Sequence, residues 1–288
     1  MSIWLLTGIC LVASTLEPIL IKLGYLGSAT PPQLLVVRGL VAGICALPFI
    51  GKISPTFAEQ FGRILPVCVI FVVTNVFLML AFAHLPVSIV VALVTSTPAF
   101  VALVNQWRGT VALGQRFWIG FILCFVGIPA TVGSGFVGAG GTEWKGLIYV
   151  GLAIAGSTLY RTRMDMVTRH VRAIQVSGCL FLFCGLTAAL CAPFFLPLPE
   201  TAVRFGAAVG MTSVVANVTF LATLASLGST RVSMIGLLQR PTVVVASAVA
   251  LHEPLTLSQM AGIALVMTGV YLAKPEPIPQ RQQPHEQA

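Results

Sequence analysis

Ten apolar runs, each long enough to cross a bilayer, follow one another down this chain of 288 residues. They fall near 3–23, 32–50, 64–83, 87–107 and 115–133, then near 145–161, 174–196, 205–226, 231–251 and 257–273. About twenty apolar residues span the hydrocarbon core as a helix, and in lipid only helices and closed barrels satisfy their own backbone. Only 8% of residues are charged and 57% are hydrophobic, against roughly 25% charged in a soluble domain. So few charges cannot cover a water-facing surface, and the mean hydropathy of +0.97 says that the outside is as oily as the inside. The sequence therefore predicts an all-α polytopic membrane protein with ten transmembrane helices.

The remaining charge describes orientation. A net charge of +8 could suggest nucleic acid, but the basic residues sit in short connectors between apolar runs, the Arg161–Arg172 cluster included as a topology anchor, without one stripe or an aromatic-basic motif. With the N-terminus cytoplasmic, Lys52, Arg63, Arg108, Arg116, Arg161, Arg163, Arg169, Arg172, Arg231, Lys274 and Arg281 all lie inside; Lys145, Arg204 and Lys22 lie outside. Eleven against three is a positive-inside pattern. It places both termini in the cytoplasm, with the bacterial inner membrane as the expected location. The first apolar run has no basic leader and carries Glu17 and Lys22, so it is read as part of the fold and not as a signal peptide. All seven cysteines lie in apolar runs, without a CxxC pair or a Cys/His cluster. No metal site or cofactor is expected.

An internal repeat adds direction to the topology. Gly8-x5-Ser14-Thr15-Leu16 recurs as Gly151-x5-Ser157-Thr158-Leu159, and Val72-Val73-x-Asn75-Val76 recurs as Val214-Val215-x-Asn217-Val218. Ala83, Leu85, Pro98, Gly120 and Gly127 match Ala225, Leu227, Pro241, Gly262 and Gly269 at nearly the same spacing. Five helices per copy is an odd number, so the second copy must enter the membrane with opposite polarity. The expected organisation is a first repeat over 1–134, a Gly-rich linker over 135–142, a second repeat over 143–273 and a disordered Pro/Gln-rich tail over 274–288. The linker lacks the Lys-Ser/Thr ending of a phosphate loop. Inverted repeats characterise secondary transporters, whose substrate sites lie near the midplane between the halves.

The second half carries Pro241, Glu253-Pro254-Leu255-Thr256, Gln259, Gly262 and Gly269; the first half carries Arg38, Ala81 to Pro86, Pro98, Gly120 and Gly127. In these residues the chain resembles the EamA-type ten-helix transporters of the drug/metabolite transporter superfamily, over about residues 3 to 273. The resemblance implies export of small metabolites or amphipathic drugs by alternating access, driven by protons or by exchange. The sequence departs from that family's pattern at Thr110 and Arg240, where acidic residues are expected, and at Glu17, which is not typical of it.

Ionisable groups in hydrocarbon cost about 2.5–3.5 kcal/mol on insertion scales, so each marks a pathway or a pair. Glu17 and Arg38 both fall roughly 9 Å below the outer boundary, counted at 1.5 Å per residue, and an ion pair between them is expected. It is either a static brace or a switch opened by a proton or a substrate carboxylate. Lys22 is expected to snorkel to the interface. Ser96-Thr97-Pro98 and Gln239-Arg240-Pro241 are inverted counterparts where proline frees backbone groups. They either face one another across a central cavity or merely kink their helices. Asn75 and Asn217 are candidate substrate contacts or interhelical glue, and Tyr160, which stands where Glu17 does in the other copy, is a candidate aromatic wall. With Glu17 and Arg38 cancelling, Arg240 would leave the cavity positive and favour carboxylate-bearing or zwitterionic solutes. The expected partners are the small-molecule substrate, the lipid bilayer and protons or a counter-substrate, with no nucleic acid, in a monomer or homodimer. A non-transporting or lipid-handling protein is the competing class. An enzyme ranks last, because no nucleophile-base pair is visible.

Overall fold

The computed structural model describes residues 3–49, 57–109, 113–132, 143–168, 173–252 and 256–272. Among them there are helices and no strand. The first half contains α1 (Ile3–Leu26), α2 (Pro31–Ala46), α3 (Phe57–His84), α4 (Val87–Val94), α5 (Thr97–Trp107) and α6 (Gln115–Val132). The second contains α7 (Glu143–Thr168), α8 (Ala173–Cys191), α9 (Glu200–Leu251) and α10 (Leu257–Leu272). Six segments are long and apolar enough to cross a membrane, and shorter apolar helices lie at Gln115–Gly127, Thr242–Leu251 and Met260–Gly269. All four tryptophans of the chain are exposed near helix ends, at Trp4, Trp107, Trp118 and Trp144, as in the aromatic belts of membrane proteins.

The expected span over 87–107 is present as the apolar segment Val87–Trp107, interrupted near the expected proline, with α4 ending at Val94 and α5 starting at Thr97. Pro98 has no N–H to give and sits within the first turn of α5, where none is needed. The spans over 205–226 and 231–251 instead form one helix of 52 residues, about 78 Å long at 1.5 Å per residue. Between them the sequence offers Leu227-Gly228-Ser229-Thr230. A lone glycine costs a helix only about 1 kcal/mol relative to alanine, too little to force a turn. The side chains of 224–241 are outside the described residues.

The halves run in opposite directions, and the contacts at one end of the bundle show it. The last turns of α1 and α3 lie together there, since Lys22 Nζ donates to the carbonyls of Phe82 and Leu85 at 3.1 Å each. Gly146 packs on His84 and Leu85, so α7 begins where its counterpart α1 ends. Gln33 Nε2 donates to the Pro197 carbonyl at 3.3 Å, so α2 begins where α8 finishes. Gly27 packs on Thr201, so α9 begins where its counterpart α3 ends. Packing partners exchange accordingly: α1 lies on α9 as α7 lies on α3, while α2–α8 and α6–α10 pair with their own counterparts.

Small residues set the tightest crossings, as expected where lipid provides no hydrophobic drive. A Cβ on Gly43 would stand 2.8 Å from Gly185 Cα, and one on Gly39 would stand 2.7 Å from Ala188 Cβ. On the other flank of α2, Cβ atoms on Gly206 and Gly210 would meet Val37 Cβ at 2.7 Å and the Arg38 carbonyl at 2.8 Å. Helix α2 is therefore clamped between α8 and α9.

Candidate functional site

The start of α2 is defined by its own sequence. Pro31 and Pro32 occupy the first turn, and Gln33 Oε1 accepts from the Thr30 backbone N–H at 3.1 Å and from its hydroxyl at 2.8 Å. Seven residues into α2, Arg38 is 92% buried (8% exposed). Its Nη2 donates to Glu17 Oε1 of α1 at 2.5 Å. The expected pair is thus present, and buried enough for its charges to matter. Its other terminal nitrogen, Nη1, is buried with no hydrogen-bond partner among the described residues.

Arg38 faces a cavity of about 390 Å³ between α2, α3 and α8. Pro31, Pro32 and Phe195 lie at one end; Val72, Asn75 and Phe181 lie deeper, beside Arg38. Leu35, Val36, Val76, Met79 and Leu80 make hydrocarbon walls, and Thr187, Cys184 and Cys191 come from α8. The cavity breaks the pseudo-symmetry of the bundle. The interface of α2 with α9 is closed by Gly206 and Gly210, whereas its counterpart, between α8 and α3, stands open.

Of the other residues that the sequence singles out, Asn75 lines this cavity and gives one amide N–H to the Phe71 carbonyl at 2.8 Å. Tyr160 does not line it. It lies behind the floor, with its ring 5.3 Å from Phe71, which in turn meets Phe181 edge-on at 5.9 Å. Asn217 is placed on α9 with its Oδ1 buried and unpartnered among the described residues, away from the cavity lining. Ser96 and Thr97 are buried to 1% exposure and Pro98 is exposed; none lines the cavity. The side chains of Gln239 and Arg240 lie outside the described residues, as do the expected linker over 135–142 and the tail over 274–288.

Lys22 caps the carbonyls at the end of α3, where a helix leaves acceptors unpaired and favours a cation. Sequence reasoning missed the α8 contribution of Phe181, Cys184 and Thr187. The spacing Gly39-x3-Gly43 on α2, with Gly185 on α8, was the available signal that these helices cross closely.

Opposed helical halves built from long apolar helices define a polytopic α-helical membrane protein. Residues 144–274 match the EamA-like transporter family. That match covers the second half of the chain and is consistent with a place in the drug/metabolite transporter superfamily. A solved chain described as "Crystal structure of protein" has the same fold, with a TM-score of 0.61 at 15% identity over 94% of this chain and 96% of its own. Among curated proteins, none matches by sequence.

Proposed function

We propose that this protein is a secondary transporter that exports small carboxylate-bearing, zwitterionic or amphipathic metabolites by alternating access, with the α2/α3/α8 cavity as its substrate site. What supports the reading is that Arg38, whose buried Nη1 lacks a hydrogen-bond partner among the described residues, is one of the residues that line this cavity. A buried donor without an acceptor costs about 1–3 kcal/mol, a cost that a bound acceptor removes. Further support comes from the inequality of two related interfaces: α2–α9 closed and α8–α3 open is what one of two exchangeable states looks like in an inverted repeat.

In this reading the two repeats span 1–134 and 143–273, joined by the linker 135–142 and followed by the tail 274–288. The protein sits in the inner membrane with both termini cytoplasmic, as a monomer or homodimer, and works against protons or a counter-substrate. Glu17 serves as the proton-bearing partner of Arg38, and its protonation opens the pair. Flux in proteoliposomes tests this directly. Glu17→Gln should stop pH-driven uptake and retain exchange of labelled substrate. Unchanged pH-driven uptake would reduce the pair to a brace.

One observation favours the lipid-handling alternative. A groove of about 500 Å³ on the outside of α1 and α9, lined by Trp4, Gly8, Val12, Leu16, Met211 and Val215, has the shape and apolar character of an acyl-chain seat. Rapid movement of labelled phospholipid between leaflets, without solute flux, would establish that function in place of transport.

A further inference from the structure

We infer that the α2/α3/α8 cavity selects a monocarboxylate with an apolar body, bound head-first on Arg38, and rejects zwitterions and dicarboxylates of the same size. The inference rests on the reading of this cavity as the substrate site and narrows its ligand.

The argument is one of counting polar groups. Arg38 gives an N–H of Nη2 to Glu17, and Nη1, with two N–H groups, is its terminal nitrogen without a partner among the described residues. One carboxylate oxygen gives it a partner through a charge-assisted hydrogen bond, the strongest kind available here. A second carboxylate on the ligand would find no other cation among the described lining residues. An ammonium would find no lining carboxylate, since Glu17 approaches Arg38 from α1, outside the lining. Thr187 has already given its one O–H to the Phe183 carbonyl at 2.8 Å, and Asn75 has given one N–H to Phe71. The rest of the wall, from Leu35 and Val76 to Met79 and Phe195, is hydrocarbon or ring. That surface rewards an apolar chain and offers a second charge only the neutral Asn75 amide and Thr187 hydroxyl, with no opposite charge among the described lining residues, in return for its lost water.

Six-carbon probes isolate each element of this recognition. Binding of radiolabelled hexanoate is measured in nanodiscs, with empty nanodiscs subtracted, and competed with hexanamide, adipate and norleucine. Hexanoate should bind at least about tenfold more tightly than hexanamide, which cannot form the charged bond, and should likewise outcompete adipate and norleucine. Across butyrate, hexanoate and octanoate, affinity should rise about fourfold per methylene. Arg38→Gln should remove the preference for hexanoate over hexanamide. Val76→Phe, which leaves the Glu17–Arg38 pair intact, should shrink the chamber and lose octanoate before butyrate, at an unchanged melting temperature.

Norleucine or adipate binding as tightly as hexanoate overturns the inference, and so does hexanoate binding that survives both substitutions. The outcomes also separate this inference from the transport reading. Hexanoate that binds but does not cross proteoliposomes upholds the site and refutes transport. Movement of other solutes with no hexanoate binding upholds transport and refutes the monocarboxylate.

Discussion

Removing both members of the Glu17–Arg38 pair should harm the fold less than removing either one. Glu17→Leu leaves Arg38, 10% exposed along its side chain, as an uncompensated cation that cannot shed its proton. Breaking a buried pair by deleting one partner costs about 3–5 kcal/mol. Glu17 is 23% exposed, so the lower end, about 3 kcal/mol, applies, and the insertion cost of a lone membrane arginine is similar. For a chain of this size the loss corresponds to a melting-temperature drop of roughly 6 °C, at about 2 °C per kcal/mol. Arg38→Met should cost a comparable amount by stranding the carboxylate. The double variant Glu17→Leu/Arg38→Met leaves no charge to compensate, and replacement of a buried pair by apolar groups is often neutral or stabilising by about 1–4 kcal/mol. Its melting temperature should therefore return to the wild-type value or exceed it, while solute flux stays abolished. Thermal unfolding of the four proteins in one detergent, paired with proteoliposome flux, reads both quantities. Additive losses, near 12 °C in the double variant by the same conversion, would refute the electrostatic reasoning and make the pair a structural brace.

Gly43→Val should force α2 away from α8, because the first added carbon alone would stand 2.8 Å from Gly185 Cα; overpacking of this kind costs about 1–3 kcal/mol, read as a lower melting temperature. Lys22→Met should remove two charge-assisted bonds from the end of α3 and speed amide exchange over residues 82–85 while leaving Thr74 to Asn75 protected.

Hydropathy made the helices legible, and the residues that hydrocarbon tolerates least made part of the site legible as well. Glu17 and Arg38 stood out because few other ionisable groups lie within the spans, and counting residues to the helix ends put them at one depth. The cavity they adjoin was not legible. Its walls are leucine, valine and methionine like those of any packed interface, and what makes it a cavity is that α3 stands off from α8. Paired glycines announce where helices touch, as Gly43 and Gly185 do, but nothing in a sequence marks where they part. The partners of Lys22 were not legible for a related reason: the carbonyls of Phe82 and Leu85 belong to a helix end some sixty residues away. The turn expected between 226 and 231 rested on an assumed span length; the local residues carry no strong break.

The interruption between α4 and α5 bears on how a fold can bend inside oil. Thr95 Oγ1, Ser96 Oγ and Thr97 Oγ1 donate to the carbonyls of Val91, Leu93 and Val94 at 2.6, 2.7 and 2.6 Å. Three consecutive hydroxyls thus do, from fixed positions, what water does for a bent helix in a soluble protein. A joint that brings its own solvent needs no aqueous path to reach it. It can flex at a depth where an open pore would leak ions, and because its hydrogen bonds are spent internally it has little left to offer a passing solute.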